Sequence, residues 1–573
     1  MVYQINNGRE ALMVKGKKVL NTILLLIGII AINIIGKYVF YRFDFTADQR
    51  FTLSEKTKTI LANNKKPIMV TVFLDGELPP AFKRLQSAVN DVLTDYQAYS
   101  KGDLKIVFVD PLAGLNQSDQ DTVINNLYER GIEATNLSVK TEAGLTQKLV
   151  YPMAMIETDN KEFPVKLFQN LDTRGSYEDN INRAIENLEY VFTSSLKKVI
   201  AGKNPRIGFT ESNGELNDLQ LGDAIRMLSS SYEIGRVDLN TIDKAGLDKL
   251  NMLIVAKPTK PFTETEKYKI NYFVMNSGRI VWSIDQVKAE LDSLRGRNGQ
   301  MATNSNLNLD DMLFMYGARI NYNLIADPAN CAEIPVSTGV VGGQSQMELL
   351  PWIYYPILLP DTSQSVVKKL DGVKSEFPST VDSIGVRGVK KSFILSTSAF
   401  NKVYNTPKPF SLQMVSEQLD PRAFQSVPQQ VGLMLEGNFP SVFAGRPLPA
   451  AIVSPYSMET KSKATKMIVL GDGDLFKNQV SERDGSPYPL GFDRYSQRTY
   501  GNKALLLNIV DYFTDDDNLI SLRNKEVKIR LLDKSKIKLE KAKWQFINIA
   551  VPLLLLIFFA IFQHYYRKYK YAK

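Results

Sequence analysis

Residues 19–61, which read VLNTILLLIGIIAINIIGKYVFYRFDFTADQRFTLSEKTKTIL, determine how the rest of the chain is organised. Their apolar part, Val19 to Phe40, is long enough to cross the ~30 Å hydrocarbon core of a bilayer as one helix. A cleaved signal peptide is the alternative, but the next residues are YRFDF and contain no small-x-small cleavage site. We therefore predict an uncleaved membrane anchor, followed over 41–66 by a juxtamembrane stalk and a helix that begins at a capping box, Thr52-Leu53-Ser54-Glu55.

A second apolar run, Phe546 to Phe562, lies near the end of the chain. Trp544 precedes it and Tyr565 and Tyr566 follow it, which is the pattern of aromatic belts at the two membrane interfaces. We predict a second membrane helix here. For both runs the alternative is a buried helix of a soluble protein.

The basic residues are concentrated beside these two runs. The chain has 573 residues and a formal net charge of +9, and its large middle part is close to neutral. A middle part without excess basic charge lacks the basic surface patch that binding to nucleic acid requires. Four basic residues precede the first run, which favours a cytoplasmic N-terminus: Arg9, Lys15, Lys17 and Lys18. Two spans then place residues 1–18 and 563–573 in the cytoplasm and the middle on the other side of the membrane.

Several chemistries are excluded by residue counts. Cys331 is the only cysteine and His564 the only histidine, so an internal disulfide, a cysteine-based zinc cage and a Ser-His-Asp triad in the middle part are all impossible. The sequence has no G-x-x-x-x-G-K-[ST] phosphate loop. If ATP drives this protein, another subunit hydrolyses it. We predict no cofactor.

Residues 67–200 show a βαβαββα order that indicates a thioredoxin-like domain. One helix, Pro79 to Ser100, carries its apolar residues on one stripe. The domain has no Cys-x-x-Cys motif, so thiol redox chemistry is excluded even if the fold is that of thioredoxin.

Residues 201–327 predict the first part of a doubly wound parallel sheet, because apolar strands alternate with amphipathic helices. Thr263-Glu264-Thr265-Glu266 is a second predicted capping box, and residues 307–327 are expected to continue the sheet. The remaining predicted segments are a β-rich and loop-rich insertion (328–460), the closing part of the α/β domain (461–524), a charged connector (525–545) and the second span (546–562).

Polar residues follow several of the predicted strands. The carboxyl ends of parallel strands meet at one edge of a sheet, where ligands of such folds bind. The residues expected at this edge are Glu211, Glu215, Lys257, Asp285, Asp472 and Asp474. The carboxylates among them could bind a divalent cation through oxygen. The alternative is that Gly471-Asp472-Gly473-Asp474 is only a turn, with its aspartates capping the next helix.

Six stretches together resemble the GldG family, the gliding-motility-associated auxiliary proteins of ABC transporters in Bacteroidota. They are FDFTADQRFTLSEKTKTIL, IMVTVFLDGELPPAFKRLQ, LNLDDMLFMYGARIN, LGDGDLF, GNKALLLNIVDYF and LISLRNKEVKIRLLDK. The resemblance covers essentially the whole chain.

This resemblance implies an inner-membrane protein with a periplasmic domain that works with a GldF-like permease and a GldA-like ATPase in support of gliding. It also implies an amidotransferase-like domain, but the turn after the strand RIGFTE is ESNGE and that unit has no cysteine nucleophile before Cys331. We therefore expect a non-enzymatic accessory subunit that binds a cargo or an envelope partner. A membrane-anchored hydrolase or metal enzyme and a purely structural envelope tether are the alternatives.

Overall fold

The computed structural model describes residues 25–30, 52–141, 144–158, 161–168, 177–201, 204–294, 299–341, 344–417, 419–424, 427–452, 456, 458–515, 517, 519–524 and 534–571. Those up to Asn524 belong to one compact unit, and the C-terminal helix belongs to a second. The predicted first span lies outside the described residues, apart from 25–30, which are helical. The stalk over 41–51 also lies outside them.

The N-terminal region (52–201) contains a mixed four-stranded sheet with the order β2-β1-β5-β6 among its described strands. β1 pairs parallel with β2 and antiparallel with β5, and β6 is antiparallel to β5. β3 and β4 form a separate hairpin, which the sequence did not predict. The elements are α1 (Glu55–Asn63), β1 (Ile68–Val72), α2 (Pro80–Tyr99), β2 (Leu104–Phe108), α3 (Gln117–Glu129), β3 (Thr135–Thr141), β4 (Gly144–Val150), β5 (Met153–Thr158), β6 (Lys161–Lys166) and α4 (Tyr177–Ala201).

Local sequence signals explain how these helices begin and which face they bury. The stripe predicted on α2 is confirmed, since Phe82, Leu85 and Val89 are fully buried. The capping box predicted at Thr52 is wrong. Ser54 is the N-cap of α1, because its hydroxyl accepts from the Thr57 N–H at 3.2 Å.

The central region (204–524) is larger and carries most of the strands. Its elements are β7 (Arg206–Thr210), α5 (Gly222–Ser229), β8 (Glu233–Val237), α6 (Lys244–Leu247), β9 (Met252–Ala256), α7 (Glu264–Met275), β10 (Arg279–Ser283), β11 (Val287–Lys288), β12 (Gln300–Asn304), α8 (Asp310–Tyr316), β13 (Ala318–Ile320), β14 (Asn323–Ala326), β15 (Cys331–Val341), β16 (Gln344–Pro360), β17 (Val373–Lys374), β18 (Val381–Ser383), β19 (Val389–Ser396), β20 (Lys402–Asn405), β21 (Lys408–Phe410), β22 (Gln430–Gly437), β23 (Thr465–Leu470), β24 (Phe492–Asp493), β25 (Arg498–Thr499) and α9 (Asn502–Thr514).

Ten of the described strands form one sheet in the order β15-β16-β19-β22-β23-β10-β9-β7-β8, with β17 paired to β16. The strands from β23 to β8 are parallel, as predicted. β22, β19, β16 and β15 extend the sheet antiparallel. The predicted insertion therefore adds strands to the main sheet. The expectation that residues 307–327 continue this sheet is wrong, because β13 and β14 pair with β18 and β20 in separate two-stranded sheets.

Helices cover both faces of the parallel part, which explains its continuous apolar strands. All five residues of β9 are buried. α9 and α5 pack on one face and α7 on the other, so each face contributes its own apolar cluster. The architecture is thus mixed α/β with several sheets, and it fixes which loops meet at the carboxyl ends of the parallel strands.

The C-terminal helix α10 spans Lys534–Tyr571 and is 38 residues long. Within it, Glu540–Tyr571 is long and apolar enough to cross a membrane. Its apolar side chains are exposed, including Phe546 at 72% and Phe558 at 71%, which suits a lipid environment. The predicted second span, Phe546 to Phe562, lies inside this helix.

The capping box predicted at Thr263 is confirmed, and its contribution to the stability of the protein can be tested. Thr263 accepts from the Glu266 N–H at 3.3 Å, and the Glu266 carboxylate accepts from the Thr263 N–H at 2.7 Å. Thr263→Ala removes one half of this box at the start of α7. We expect a loss of about 1 kcal/mol of stability in chemical denaturation, whereas Thr263→Ser keeps the hydroxyl. Equal stabilities of the two variants would show that the cap contributes nothing.

Candidate functional site

Three loops meet at the carboxyl edge of the parallel sheet. Lys257 follows β9 directly, Asp285 follows β10 by two residues, and Asp472 and Asp474 follow β23. β10 lies between the other two strands, with Ser283 opposite both Ala256 and Leu470. The pairing of the strands therefore brings these four polar residues to one place.

The three aspartates, Asp285, Asp472 and Asp474, each offer an oxygen atom within 4.8 Å of the others. The Lys257 ammonium lies among them. Its Nζ is 2.5 Å from Asp474 Oδ2, 3.3 Å from Asp285 Oδ2 and 2.6 Å from Glu290 Oε1. We refer to Lys257, Asp285, Glu290, Asp472, Asp474 and Lys477 as the strand-end cluster.

Lys477 adds a second positive charge to the strand-end cluster. Its Nζ is 2.7 Å from Asp474 Oδ1, so each oxygen of this buried carboxylate contacts one lysine. The negative charge of Asp474, which would attract a metal ion, is therefore already neutralised by two ammonium groups.

Asp472 holds the backbone of the turn. Its Oδ1 accepts from the Asp474 N–H at 2.7 Å, and its Oδ2 accepts from the Glu376 N–H at 2.9 Å. The Ser283 hydroxyl donates to the Asp472 carbonyl at 2.5 Å. Asp472 thus has the turn-forming role of the alternative interpretation, while Asp285 and Asp474 pair with Lys257.

The backbone at Lys257 is strained in order to place this side chain. Its φ is +55°, in the left-handed region, which costs a residue other than glycine about 1–3 kcal/mol. The residue at position 473 must be small, since a Cβ on Gly473 would lie 2.8 Å from the Lys257 Cγ and 3.0 Å from the Asp285 Cγ. The turn therefore uses a glycine where the lysine passes closest.

The electrostatics of the strand-end cluster follow from burial and pairing. Burial acts to lower the pKa of Lys257, but the carboxylates of Asp474, Asp285 and Glu290 outweigh it and raise this pKa well above its usual value. Burial acts to raise the pKa of Asp474, but Lys257 and Lys477 lower it below its usual range. Burial raises the pKa of Asp285 to about 7. It also raises that of Asp472 well above the usual value, with the charges of Asp285 and Asp474 adding to the effect.

The arrangement favours a charge-neutralised structural network over a catalytic centre. A lysine held protonated by three carboxylates is not a nucleophile. The Cys331 thiol offers none either, because burial raises its pKa to about 12. The sheet edge supplies its own cation through Lys257.

Two predicted residues of this edge lie outside the strand-end cluster. Glu211 is paired with Arg236, with 3.2 Å between Oε2 and Nε. Glu215 accepts from the Asn213 N–H at 2.6 Å in the loop after β7. Glu290 and Lys477 belong to the strand-end cluster but were not predicted from the sequence. Lys477 follows Asp474 by three residues, a spacing that could have indicated an ion pair, whereas nothing local indicated Glu290.

A second polar site lies where the two regions meet, along the helix α4. One face of α4 packs its apolar residues into the N-terminal core, among them Ile181, Leu188 and Phe192. The other face carries a polar stripe at helical spacing: Arg183, Glu186, Tyr190, Lys197 and Lys198. The helix is therefore shared by both regions.

The polar stripe contacts the central region at both ends of α4. Arg183 Nη1 lies 3.1 Å from Asp371 Oδ1, and Lys369 Nζ lies 2.7 Å from Glu186 Oε2. Near the other end, Lys197 pairs with Asp517 at 2.7 Å.

Asp511 of α9 is the most heavily bonded residue of this contact. It is 9% exposed. Tyr190 donates to its Oδ2 at 3.1 Å, while Lys198 and Tyr232 donate to its Oδ1 at 3.0 and 2.5 Å. One carboxylate thus joins α4, α9 and the residue before β8.

The helix α1 joins the same contact. Glu189 of α4 accepts from the Ser54 N–H at 2.6 Å and from the Thr57 hydroxyl at 2.9 Å. Lys56 donates to the Asp517 carbonyl at 3.0 Å, and Leu519 and Ile520 are buried beside Tyr190. We call α1, the polar stripe of α4 and residues 511–522 the α4 junction.

These observations define a mixed α/β protein with a helix suited to a membrane, a neutralised polar cluster and a tight contact between its two regions. The chain belongs to the family described as ABC-type uncharacterized transport system, whose model matches residues 204–509. Residues 47–157 match a domain of unknown function. The family assigns the chain an accessory role in an ABC transport system, and together with α10 it indicates membrane association.

Two further proteins are similar to this chain. An uncharacterized protein of Borreliella burgdorferi is 23% identical over 532 residues, which cover 90% of this chain and 92% of that protein. A solved structure titled mmIFT52 N-terminal domain is 12% identical, with a TM-score of 0.31, and the match covers 54% of this chain and 98% of that one. A TM-score this low does not identify a shared fold.

The pKa of Asp285 gives a pH prediction. A carboxyl group whose pKa rises on folding binds its proton more tightly in the folded state, so its contribution to stability decreases as the pH rises from about 4 to 7. Between pH 5 and 8, we expect the melting temperature of the wild type to fall about 4 °C more than that of Asp285→Asn. Asparagine can still accept from the Gly473 N–H. Glu211→Gln, outside the strand-end cluster, is the control, and parallel curves for all three proteins would contradict this account.

The α4 junction gives a stability prediction. Asp511→Ala removes the acceptor of three donors and leaves Lys198 partly buried without its partner. We expect a loss of about 3 kcal/mol and separate unfolding transitions of the two regions. Asp517→Ala in the same junction removes a side chain that is 59% exposed, and it should cost about 0.5 kcal/mol. Urea unfolding followed by far-UV circular dichroism, which reports the helices and strands of both regions, measures both losses, and equal losses would rule out a special role for Asp511.

Proposed function

We propose that this protein is a non-enzymatic, membrane-anchored accessory subunit of an ABC transport complex that supports gliding motility. Its membership of the transport family supports the accessory role. The resemblance to the GldG family supports the motility role. The strand-end cluster supports a role without catalysis, because its lysines already neutralise the carboxylates that a metal enzyme would use.

The proposed topology has two spans, Val19 to Phe40 and Phe546 to Phe562, in the bacterial inner membrane. Both termini would lie in the cytoplasm and residues between the spans in the periplasm. The basic residues before the first apolar run support this orientation. The exposed apolar surface of α10 supports the second span.

The proposed partners are a GldF-like permease and a GldA-like ATPase, with an unidentified cargo or envelope partner outside. The sequence lacks a classical phosphate loop, so the energy for any movement would come from the ATPase. The spans would pack beside the permease, and the periplasmic part would bind the cargo or envelope partner.

The domain assignments are also proposals. The sheet order β2-β1-β5-β6 followed by α4 supports a thioredoxin-like domain over 67–200. The parallel order β8-β7-β9-β10-β23 corresponds to the doubly wound order 2-1-3-4-5. This order supports an amidotransferase-like domain built from 201–327 and 461–524, to which strands from 328–460 are added.

The α4 junction is the observation that best supports a mechanical role in the transport complex. α1 is the first described element after the predicted first span, and residues 519–524 are the last before α10. Both contact α4 and each other, through Lys56, Asp517 and Ser521. A displacement of α1 or of residues 519–524 would therefore reach both regions through these contacts.

The test combines a purification with an insertion. Full-length tagged protein purified from its own membranes in mild detergent should co-elute with a permease and an ATPase, and elution as a lone monomer would contradict the accessory role. A flexible Gly/Ser insertion after Phe45 should abolish gliding while the complex still forms. The same insertion after Gly485, in an exposed turn, is the control and should leave gliding intact. Normal gliding with the first insertion would contradict coupling through the α4 junction.

A further inference from the structure

The apolar run of α10 carries one polar side chain. Between Phe546 and Phe562 the sequence has a single polar residue, Asn548. Its side chain is exposed and makes no hydrogen bond to another described residue. Lipid tails offer no hydrogen-bond partner, so an amide that faces them loses the bonds that it would make in water.

Pro552 leaves a second polar group without its usual partner at the same place. A carbonyl in an α-helix normally accepts from the N–H four residues later, and proline has no N–H. Pro552 lies inside α10, four residues after Asn548. The Asn548 carbonyl therefore lacks the donor that the helix would otherwise supply. Asn548 thus combines a side-chain amide with two N–H donors and a main-chain acceptor that needs a donor from elsewhere.

Both groups lie within the part of α10 that is suited to a membrane. Trp544 precedes the apolar run and is 54% exposed, as expected of a ring at the membrane interface. Asn548 follows Trp544 by four residues, which places it about 6 Å deeper along the helix. Helix carbonyls point toward the C-terminal end, so the Asn548 carbonyl points toward the centre of the bilayer. It is thus directed away from the water of the interface.

One face of α10 presents these groups. Asn548, Pro552 and Leu555 follow one another at spacings of four and three residues, which are the spacings of neighbours on one side of a helix. Ile557 comes nine residues after Asn548, or two and a half turns, and lies on the opposite side. Leu555 is 63% exposed and Ile557 is 55% exposed. The face of Asn548 therefore offers a polar position followed by an apolar side chain, a pattern with which helices pair in membranes.

A second copy of the same helix fits this face, because the site is self-complementary. In a parallel pair related by a two-fold axis, the side-chain amide of each Asn548 can donate to the Asn548 carbonyl of the other copy. Every copy inserts in the same orientation, so the two positions lie at the same depth. A helix of another protein would have to provide both a donor and an acceptor at that depth.

The basic residues at the two ends of α10 oppose this pairing only weakly. Lys541 and Lys543 precede the apolar run, and Arg567, Lys568 and Lys570 follow it. Like charges of two copies would therefore meet in the headgroup layers, where water and salt screen their repulsion. The groups of Asn548 lie deeper, where water is not available to replace a missing partner. The contact in the apolar run thus determines whether the helices pair.

We propose that α10 pairs with α10 of a second copy of this chain through reciprocal hydrogen bonds at Asn548. The inference rests on the second span of the proposed function, because only in lipid do these groups lack water. Each copy would supply the donor for the carbonyl that Pro552 leaves free in the other copy. The accessory subunit would therefore be a dimer in the membrane.

Photo-crosslinking of the full chain in intact membranes tests the pairing. A photoreactive residue replaces Leu555, on the face of Asn548, and the control carries it at Ile557, on the opposite face at nearly the same depth. We expect an adduct of two copies from position 555 that is at least fivefold stronger than from position 557. Lipid should be the main product at 557.

Three substitutions, each made in the chain with the photoreactive residue at 555, separate the hydrogen bonds from general packing. Asn548→Leu keeps a side chain of similar size without donors and should weaken the dimer adduct at least fivefold. Asn548→Gln keeps the amide and should weaken it less. Pro552→Ala returns an N–H to the Asn548 carbonyl and should weaken it at least twofold. The yield of each variant is normalised to its amount in the membrane fraction.

Four results would overturn the inference: an adduct at 555 with another protein in place of a second copy, an adduct at 555 with residues 19–40 of the same chain, equal dimer yields at 555 and 557, and an unchanged yield in Asn548→Leu or Pro552→Ala. The proposed function is scored separately. Absence of lipid adducts at both positions would contradict the second span. Co-elution with the permease and the ATPase without the dimer adduct overturns only this inference. The dimer adduct without co-elution supports the pairing and contradicts the proposed complex.

Discussion

The buried carboxylate of Asp511 is the interaction on which the arrangement of the two regions depends. It accepts from Tyr190 and Lys198 on α4 and from Tyr232 before β8. Tyr190 and Lys198 would each lose their hydrogen bond to Asp511 if the regions separated, and a buried charge without its partners is costly. Tyr232 belongs to the central region, as Asp511 does, and would stay bonded to it. The polar stripe of α4 therefore fixes the N-terminal region against the central sheet. It also brings α1 and residues 517–522 together, so the two ends of the periplasmic part that we propose share one support.

The strand-end cluster shows how a sheet edge that often binds ligands can become structural. Parallel strands deliver Lys257, Asp285 and Asp474 to one place, as they deliver ligand-binding residues in other doubly wound folds. Here the cation among the carboxylates is the chain's own lysine, held by a strained backbone. An accessory subunit needs a rigid body more than a reactive centre, and a neutralised network provides rigidity without catalysis.

The sequence predicted what depends on local periodicity and on strand ends. The stripe of α2, the capping box at Thr263 and the parallel strands β9 and β10 follow from short-range patterns, and the meeting of Asp285, Asp472 and Asp474 follows from the geometry of parallel sheets. The antiparallel strands β16, β19 and β22 could not be placed, because their pairing is long-range and has no local signal. The same reason hid the α4 junction: Tyr190 and Asp511 are 321 positions apart. Glu290 joins the strand-end cluster just after β11, a strand of two residues that is too short to be recognised from the sequence.

We expect α1, α4 and α9 to behave as one mechanical unit. Hydrogen exchange of the full chain in mild detergent, followed in a series of low urea concentrations, tests it most directly, because it reports which segments open together. We predict that amides of α1, α4 and α9 exchange through one shared opening with the same dependence on urea. Opening of α1 and α4 at lower urea, while α9 and the parallel strands stay protected, would contradict this prediction, because it would show that the N-terminal region moves independently.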